Sequence, residues 1–183
     1  MQFSRAILLA ALLAAGSAHA AALKTNAAKS SIAATFKQMG VAVDVKFTQF
    51  RATIDFDPAK PDAAHAQVEV DVGSIDLGAP EYNSEVGKAE WFNKAKFPKA
   101  TFVSSSIKTS GANQLQVSGK LSIKGKTTDV SFPLTVKKEG NAQMFDGALP
   151  IKRLAFNIGE GEWKDTGMVA DEVTIKFHIT AAP

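Results

Sequence analysis

The residues of this chain that could do chemistry are few and far apart. There is no cysteine among its 183 residues, so no thiol nucleophile and no disulfide. Beyond the leader discussed below, the histidines are His65, beside a proline-rich loop, and His178, on the polar side of the last alternating segment. Nucleophilic catalysis needs a nucleophile, a base and a group that orients the base, and neither histidine stands in such a motif. A zinc or copper site wants several sulfur or imidazole ligands, which two widely separated histidines do not supply. Glu160-Gly161-Glu162 with Asp165 offers oxygens of the kind calcium takes, without the spacing of a calcium loop. No glycine-rich phosphate loop or dinucleotide fingerprint occurs. Arg153 is expected to be an ordinary surface arginine, since that residue is rarely buried. The inventory points away from catalysis and towards binding.

The elements that must position any binding residue are strands. Leu115, Val117, Gly119, Leu121 and Ile123 alternate with polar residues, and after Lys124-Gly125-Lys126 the rhythm resumes as Val130, Phe132, Leu134 and Val136. Side chains on a strand change face at every residue, so this is a hairpin with one dry and one wet face. The wet face includes Lys124, and Gly125 supplies the positive φ of the turn. Further strands are predicted over Ser31–Phe36, over Val41–Phe47, and over Phe50–Phe56 in shifted phase. The slip near Thr48-Gln49 reads as a bulge or tight turn. Val68–Val72, Ala100–Ile107, a weaker Asn141–Leu149 and Val173–Ile179 follow. Pro80 opens a helix carrying Tyr82, Val86, Ala89 and Phe92 at helical spacing, weakened by Gly87. Eight or nine short alternating strands with one or two short helices make an all-β protein, an antiparallel sheet curled into a barrel or sandwich.

Residues 1–20 stand apart. Arg5 precedes the ten-residue apolar run Ala6–Ala15, and Gly16-Ser17-Ala18-His19-Ala20 ends in small residues, the pattern of a cleaved signal peptide. Ten residues of helix span about 15 Å, half the ~30 Å hydrocarbon core, so the run is too short for a membrane anchor. Residues 21–183 then suffice for one domain. Lysines lie opposite apolar positions rather than in a basic stripe, which argues against nucleic acid as a partner.

Three stretches resemble the YceI family of exported barrel proteins. They are Glu90-Trp91-Phe92-Asn93-Lys94-Ala95-Lys96-Phe97-Pro98-Lys99-Ala100-Thr101-Phe102, then Val117–Thr127 running into Val130–Leu134, and Gly159-Glu160-Gly161-Glu162-Trp163-Lys164-Asp165. They fall in the family's order across residues 21–183. The resemblance implies a lipocalin-like barrel of about eight strands in the periplasm, non-catalytic, needing no cofactor, its lumen holding an isoprenoid lipid such as a polyprenyl or quinone tail. It also suggests a membrane cytochrome of the b561 type as a partner.

The expected lumen residues are Val43, Val45, Phe47, Ile54, Phe56, Val68, Val70, Phe102, Leu115, Val117, Leu121, Phe132, Leu134, Ile175 and Phe177, with Trp91, Phe92 and Phe97 as a lid at the mouth. Trp163 is expected to plug one barrel end. Two alternatives stand beside the carrier: a solid barrel docking the cytochrome through its outer surface, and an enzyme acting on a lipid inside the barrel. The first requires interior residues to meet in the middle; the second requires a polar cluster pointing inward.

Overall fold

A sheet with one apolar face must cover that face, and here it does so by closing on itself. The computed structural model describes residues 22–183; the expected signal peptide lies outside the described residues. Its strands are β1 (Ala22–Thr25), β2 (Ser31–Gln38), β3 (Val41–Phe47), β4 (Phe50–Asp55), β5 (His65–Asp71), β6 (Ile75–Asp76), β7 (Lys99–Gly111), β8 (Gln114–Ile123), β9 (Lys126–Glu139), β10 (Ala142–Lys152) and β11 (Val169–Ala182). One α-helix, α1 (Pro80–Glu85), lies in the β6–β7 connection. All pairings are antiparallel.

The ring runs β1-β4-β5-β7-β8-β9-β10-β11 and returns to β1 through Lys24↔Ala182 and Thr25↔Ala181. β2, β3 and β6 extend β1, β4 and β5 past a common bend, so the barrel is a meander of eight strands, three of them bent. The bend explains the phase slip in the sequence. Inward residues are Val45 and Phe47 before it and Ala52 and Ile54 after it, on odd and then even positions. The reverse change, even to odd, occurs between Val70 and Ile75. The buried Ser74 hydroxyl stitches the bend, donating to the Asp71 carbonyl at 2.7 Å and accepting from the Gln49 amide at 3.0 Å. Backbone bonds across the bend add to this, Thr48 N–H donating to the Ser74 carbonyl at 3.1 Å and Asp71 N–H to the Gln49 carbonyl at 3.0 Å.

Between β8 and β9, Lys124 and Gly125 both take positive φ (48° and 74°), the two-residue turn that matches the twist of the strands. Lys124 itself departs from its expected place on the wet face. It is buried, and its ammonium donates to the Asn157 carbonyl at 2.6 Å and to Glu160 at 2.8 Å. A positive-φ turn residue swings out of the strand alternation, so period-two reading does not place it. The helix is shorter than the apolar spacing suggested: α1 begins at Pro80 and ends before Gly87. β1 and the full length of β10 were not separately legible, β1 because four residues hold too little alternation.

Candidate functional site

Inside the ring the apolar side chains touch in places, as where Phe56 meets Phe145 edge-on at 5.3 Å, without filling the space. They leave a cavity of about 870 Å³, within the range of small-molecule sites. Val68, Val70, Phe102, Ile175 and Phe177 lie mid-strand and point inward, yet are only half-buried. In a filled barrel such residues would be fully covered; here they face the void.

The wall itself keeps the void open. Phe102 on β7, Phe132 on β9 and Phe177 on β11 form a belt, ring centroids 5.5 Å and 5.4 Å apart. Between them, on β8 and β10, stand Gly119 and Gly147. A Cβ on Gly147 would lie 2.2 Å from the Phe177 ring, and one on Gly119 would lie 2.6 Å from the Phe102 ring and 2.4 Å from the Val103 carbonyl oxygen. Missing side chains on alternate strands thus give two rings room to lie against the wall instead of reaching across the lumen. The sequence marks Gly119 as inward-facing, but nothing in alternation says that its neighbour is a ring.

Every residue expected in the lumen or lid lines this cavity except Phe97. Trp91 and Phe92 sit in the β6–β7 connection and close the end of the barrel, with Phe92 edge-on to Phe47 at 6.4 Å. Phe97 lies outside instead. Its ring packs on the β8–β9 turn, where a Cβ on Gly125 would come within 2.8 Å, and Lys96 lies 5.3 Å from its centroid. Its place is fixed by the turn that a glycine leaves open, a contact remote in sequence.

The same end carries the largest departure from expectation. Arg153 is buried, 2 % exposed, in the first of the two 3₁₀ turns after β10, Arg153–Phe156. It donates through Nε to the Ala170 carbonyl at 3.1 Å, through Nη1 to Ile158 at 2.8 Å and Gly159 at 3.3 Å, and through Nη2 to Trp163 and Val169 at 2.7 Å. Five N–H groups exhaust what a guanidinium can donate. Burial lowers its pKa from the ordinary arginine value, and Asp171 pulls the other way. Its carbon sits 5.9 Å from the Trp91 ring, which leans on Trp163 at 5.2 Å. Trp91 Nε1 is buried without a hydrogen-bond partner among the described residues. Trp163 also lines the cavity, while its carbonyl holds Arg153.

Exposure locates the mouth. Among the lining residues, Gln38, Glu81 and Tyr82 are the exposed ones, placing the opening between the β2–β3 tip and α1. The remaining polar lining residues are Glu85, Thr101 and Arg153. Glu85 is ion-paired with Lys88. Of the carboxylates considered for calcium, Glu160 accepts from Lys124 and Asp165 accepts from the Gly167 amide. The Lys124 hydrogen bond, then its charge, holds the Glu160 pKa below the usual carboxylate value. His178 faces outward and is bonded to Asp146 at 2.6 Å; His65 is exposed at the start of β5.

Comparison with known proteins places these features in company. Residues 23–181 match the YceI-like domain family. Protein YceI of Salmonella arizonae and a UPF0312 protein of Azotobacter vinelandii are each 30% identical over 139 residues, covering 73% of this chain and 70% of theirs. Among solved structures, BcnA of Burkholderia cenocepacia superposes with a TM-score of 0.85 at 51% identity, over 87% of this chain and 100% of that one. A domain of Saccharophagus degradans, described as polyisoprenoid-binding, superposes with a TM-score of 0.69 at 18% identity, over 90% of this chain and 100% of its own.

Proposed function

We propose that this chain, which belongs to the YceI-like domain family, is an exported, non-catalytic carrier that holds a long-chain isoprenoid lipid inside its barrel. The observation that carries the reading is the apolar cavity of about 870 Å³, walled by side chains from every strand of the ring except β1. An apolar tail gains about 0.8 kcal/mol per buried CH₂, so roughly ten carbons supply about 8 kcal/mol before the costs of binding. No charged or nucleophilic group is needed for that gain. The lining supplies none positioned for catalysis among the described residues: its acids stand at the mouth, and the donors of its one arginine are spent on backbone carbonyls. The polyisoprenoid-binding description of the Saccharophagus degradans domain supports the choice of an isoprenoid. Export is part of the proposal and rests on the leader pattern of residues 1–20.

The test is to express the full chain with its own leader, purify it without detergent, and extract it into organic solvent for mass spectrometry. A polyprenyl or quinone lipid near one equivalent is expected. Preparations that repeatedly contain no lipid, and take up none when offered, would overturn the reading.

A further inference from the structure

Apolar side chains left in water gather around the cavity mouth. Of the large apolar residues exposed among the described residues, Met39, Val41, Tyr82 and Met168 stand there, and Val103 on β7 is the exception. Met39 is 77 % exposed at the β2–β3 tip, and Val41 is 67 % exposed. Val41 shares a face of β3 with Val43, which lines the cavity, and its partner on β2 is Gln38, at the mouth. The Met39 amide donates to the Met168 carbonyl at 2.8 Å, which holds the two residues side by side. Tyr82, on α1, stands across the opening. Single apolar residues scattered on a surface need no explanation, but a group at one opening does. Met39 is also a poor choice for its turn. It and Gly40 both take positive φ (50° and 81°), where asparagine before glycine is the favoured pair. Asparagine holds such backbone at Asn93, Asn113 and Asn157, and Lys124 holds it with a buried ion pair. Nothing within the chain compensates Met39, whose side chain stands in water.

We infer, resting on the carrier reading above, that this tip is a wedge that enters the surface of a lipid bilayer and sets the cavity mouth against the lipid. A carried lipid then passes between bilayer and barrel without crossing water. The shape and chemistry of the tip favour a bilayer over a protein partner. It is a protruding turn rather than a groove or a flat face, and unbranched methionines adapt to a fluid surface. Tyrosine suits the interface, with its ring towards lipid and its hydroxyl towards water. Residues 38–43 and 166–170 carry no charged side chain, so their insertion strips water from no ion. The charged residues bordering these segments are Lys37, Asp44, Asp165 and Asp171, and Glu81 precedes Tyr82. Acids outnumber bases there, so insertion is driven by apolar burial and draws nothing from anionic lipid.

The experiment loads the purified, delipidated protein with a fluorescent farnesol ester and follows release into an excess of phosphatidylcholine vesicles that carry a quencher. The release rate is expected to rise in proportion to vesicle concentration, and to rise no further when about a third of the lipid is phosphatidylglycerol. The variant Met39→Asn/Val41→Thr/Met168→Gln should release about tenfold more slowly, since it lacks the side chains that enter the lipid. None of the three lines the cavity, so the affinity for the ester in solution and the circular dichroism should be unchanged. Met39→Asn alone, which the turn geometry favours, should fold in any case and slow release about threefold. A rate independent of vesicle concentration means passage through water and overturns the inference. Variants as fast as the parent overturn it too, as does a rate that anionic lipid multiplies and salt abolishes. Each of these results leaves the carrier reading standing. A parent protein that takes up no ester overturns the carrier reading, and the inference with it.

Discussion

Gly147 and Phe132 act on the cavity in opposite ways, and each can be tested singly. Only the Phe177 ring stands where a Cβ on Gly147 would go, and a ring can rotate. Gly147→Ala should therefore fold, with Phe177 turned into the lumen. Overpacking of this kind costs about 1–3 kcal/mol, so ligand affinity should fall roughly tenfold, and Phe177→Leu on the same background should recover most of it. A Gly147→Ala protein with unchanged affinity would show that the ring does not border the ligand. Phe132 sits 5 % exposed between Phe102 and Phe177. Phe132→Asp would bury an unpaired carboxylate there, and no cooperatively melting soluble protein is expected. Such residues were legible because alternation alone decides which side of a strand a phenylalanine occupies. Arg153 and Lys124 were not. Their burial depends on carbonyls and a carboxylate from the irregular segment 157–168 and on carbonyls at the start of β11, and a period-two pattern carries no information about such partners.

At the scale of elements, the connection between β10 and β11 is held by those two cations together with Phe156 and Ile158, which it buries in the core. Arg153 joins the end of β10 to the start of β11, and Lys124 joins the β8–β9 turn to the same segment. Arg153→Met would leave buried carbonyls at Ile158 and Val169 without donors, at about 1–3 kcal/mol each. A loss of at least about 3 kcal/mol in denaturant unfolding is expected. Arg153→Lys should rescue little, because an ammonium has three donors and no planar fork. The Lys124–Glu160 pair adds a pH dependence whose sign is fixed. The carboxylate of Glu160 titrates lower in the folded chain than its ordinary value of 4.5, so its contribution to stability is present above that value and is lost as pH falls through the folded one. Melting temperatures of the parent and Glu160→Gln proteins should thus differ at neutral pH and converge in acid. A gap that persists unchanged into strong acid would show that the pair does not titrate as a unit. At this scale the sequence told half the story. The hairpins, the Pro80 helix start and the Thr48-Gln49 slip were visible in local spacing, while the continuity of β3 with β4, and of β5 with β6, depends on neighbouring strands bending at the same level.

The whole molecule is a barrel built around space, and that has a thermodynamic consequence. A hollow interior gives up contacts that a filled core would make, since atoms facing a void lose partners on one side. Most of that loss is recoverable by anything apolar that enters. A ligand that binds the folded chain alone stabilises it by RT ln(1 + [L]/Kd), about 2.7 kcal/mol when the free ligand stands at one hundred times Kd. For a chain of this size each kcal/mol moves the melting temperature by about 2–4 °C, so roughly 5–11 °C separates the empty from the loaded barrel. The measurement is differential scanning calorimetry of protein as purified, after delipidation, and after reloading with an isoprenoid alcohol. The order expected is loaded above empty, with the reloaded sample returning to the first value. Hydrogen exchange on the same three samples should place the change in the interior strands β8, β9 and β11, whose Val117, Phe132 and Ile175 line the cavity. If delipidation leaves both melting and exchange where they were, the interior is not where the protein meets its ligand, and the outer surface of the barrel becomes the place to look.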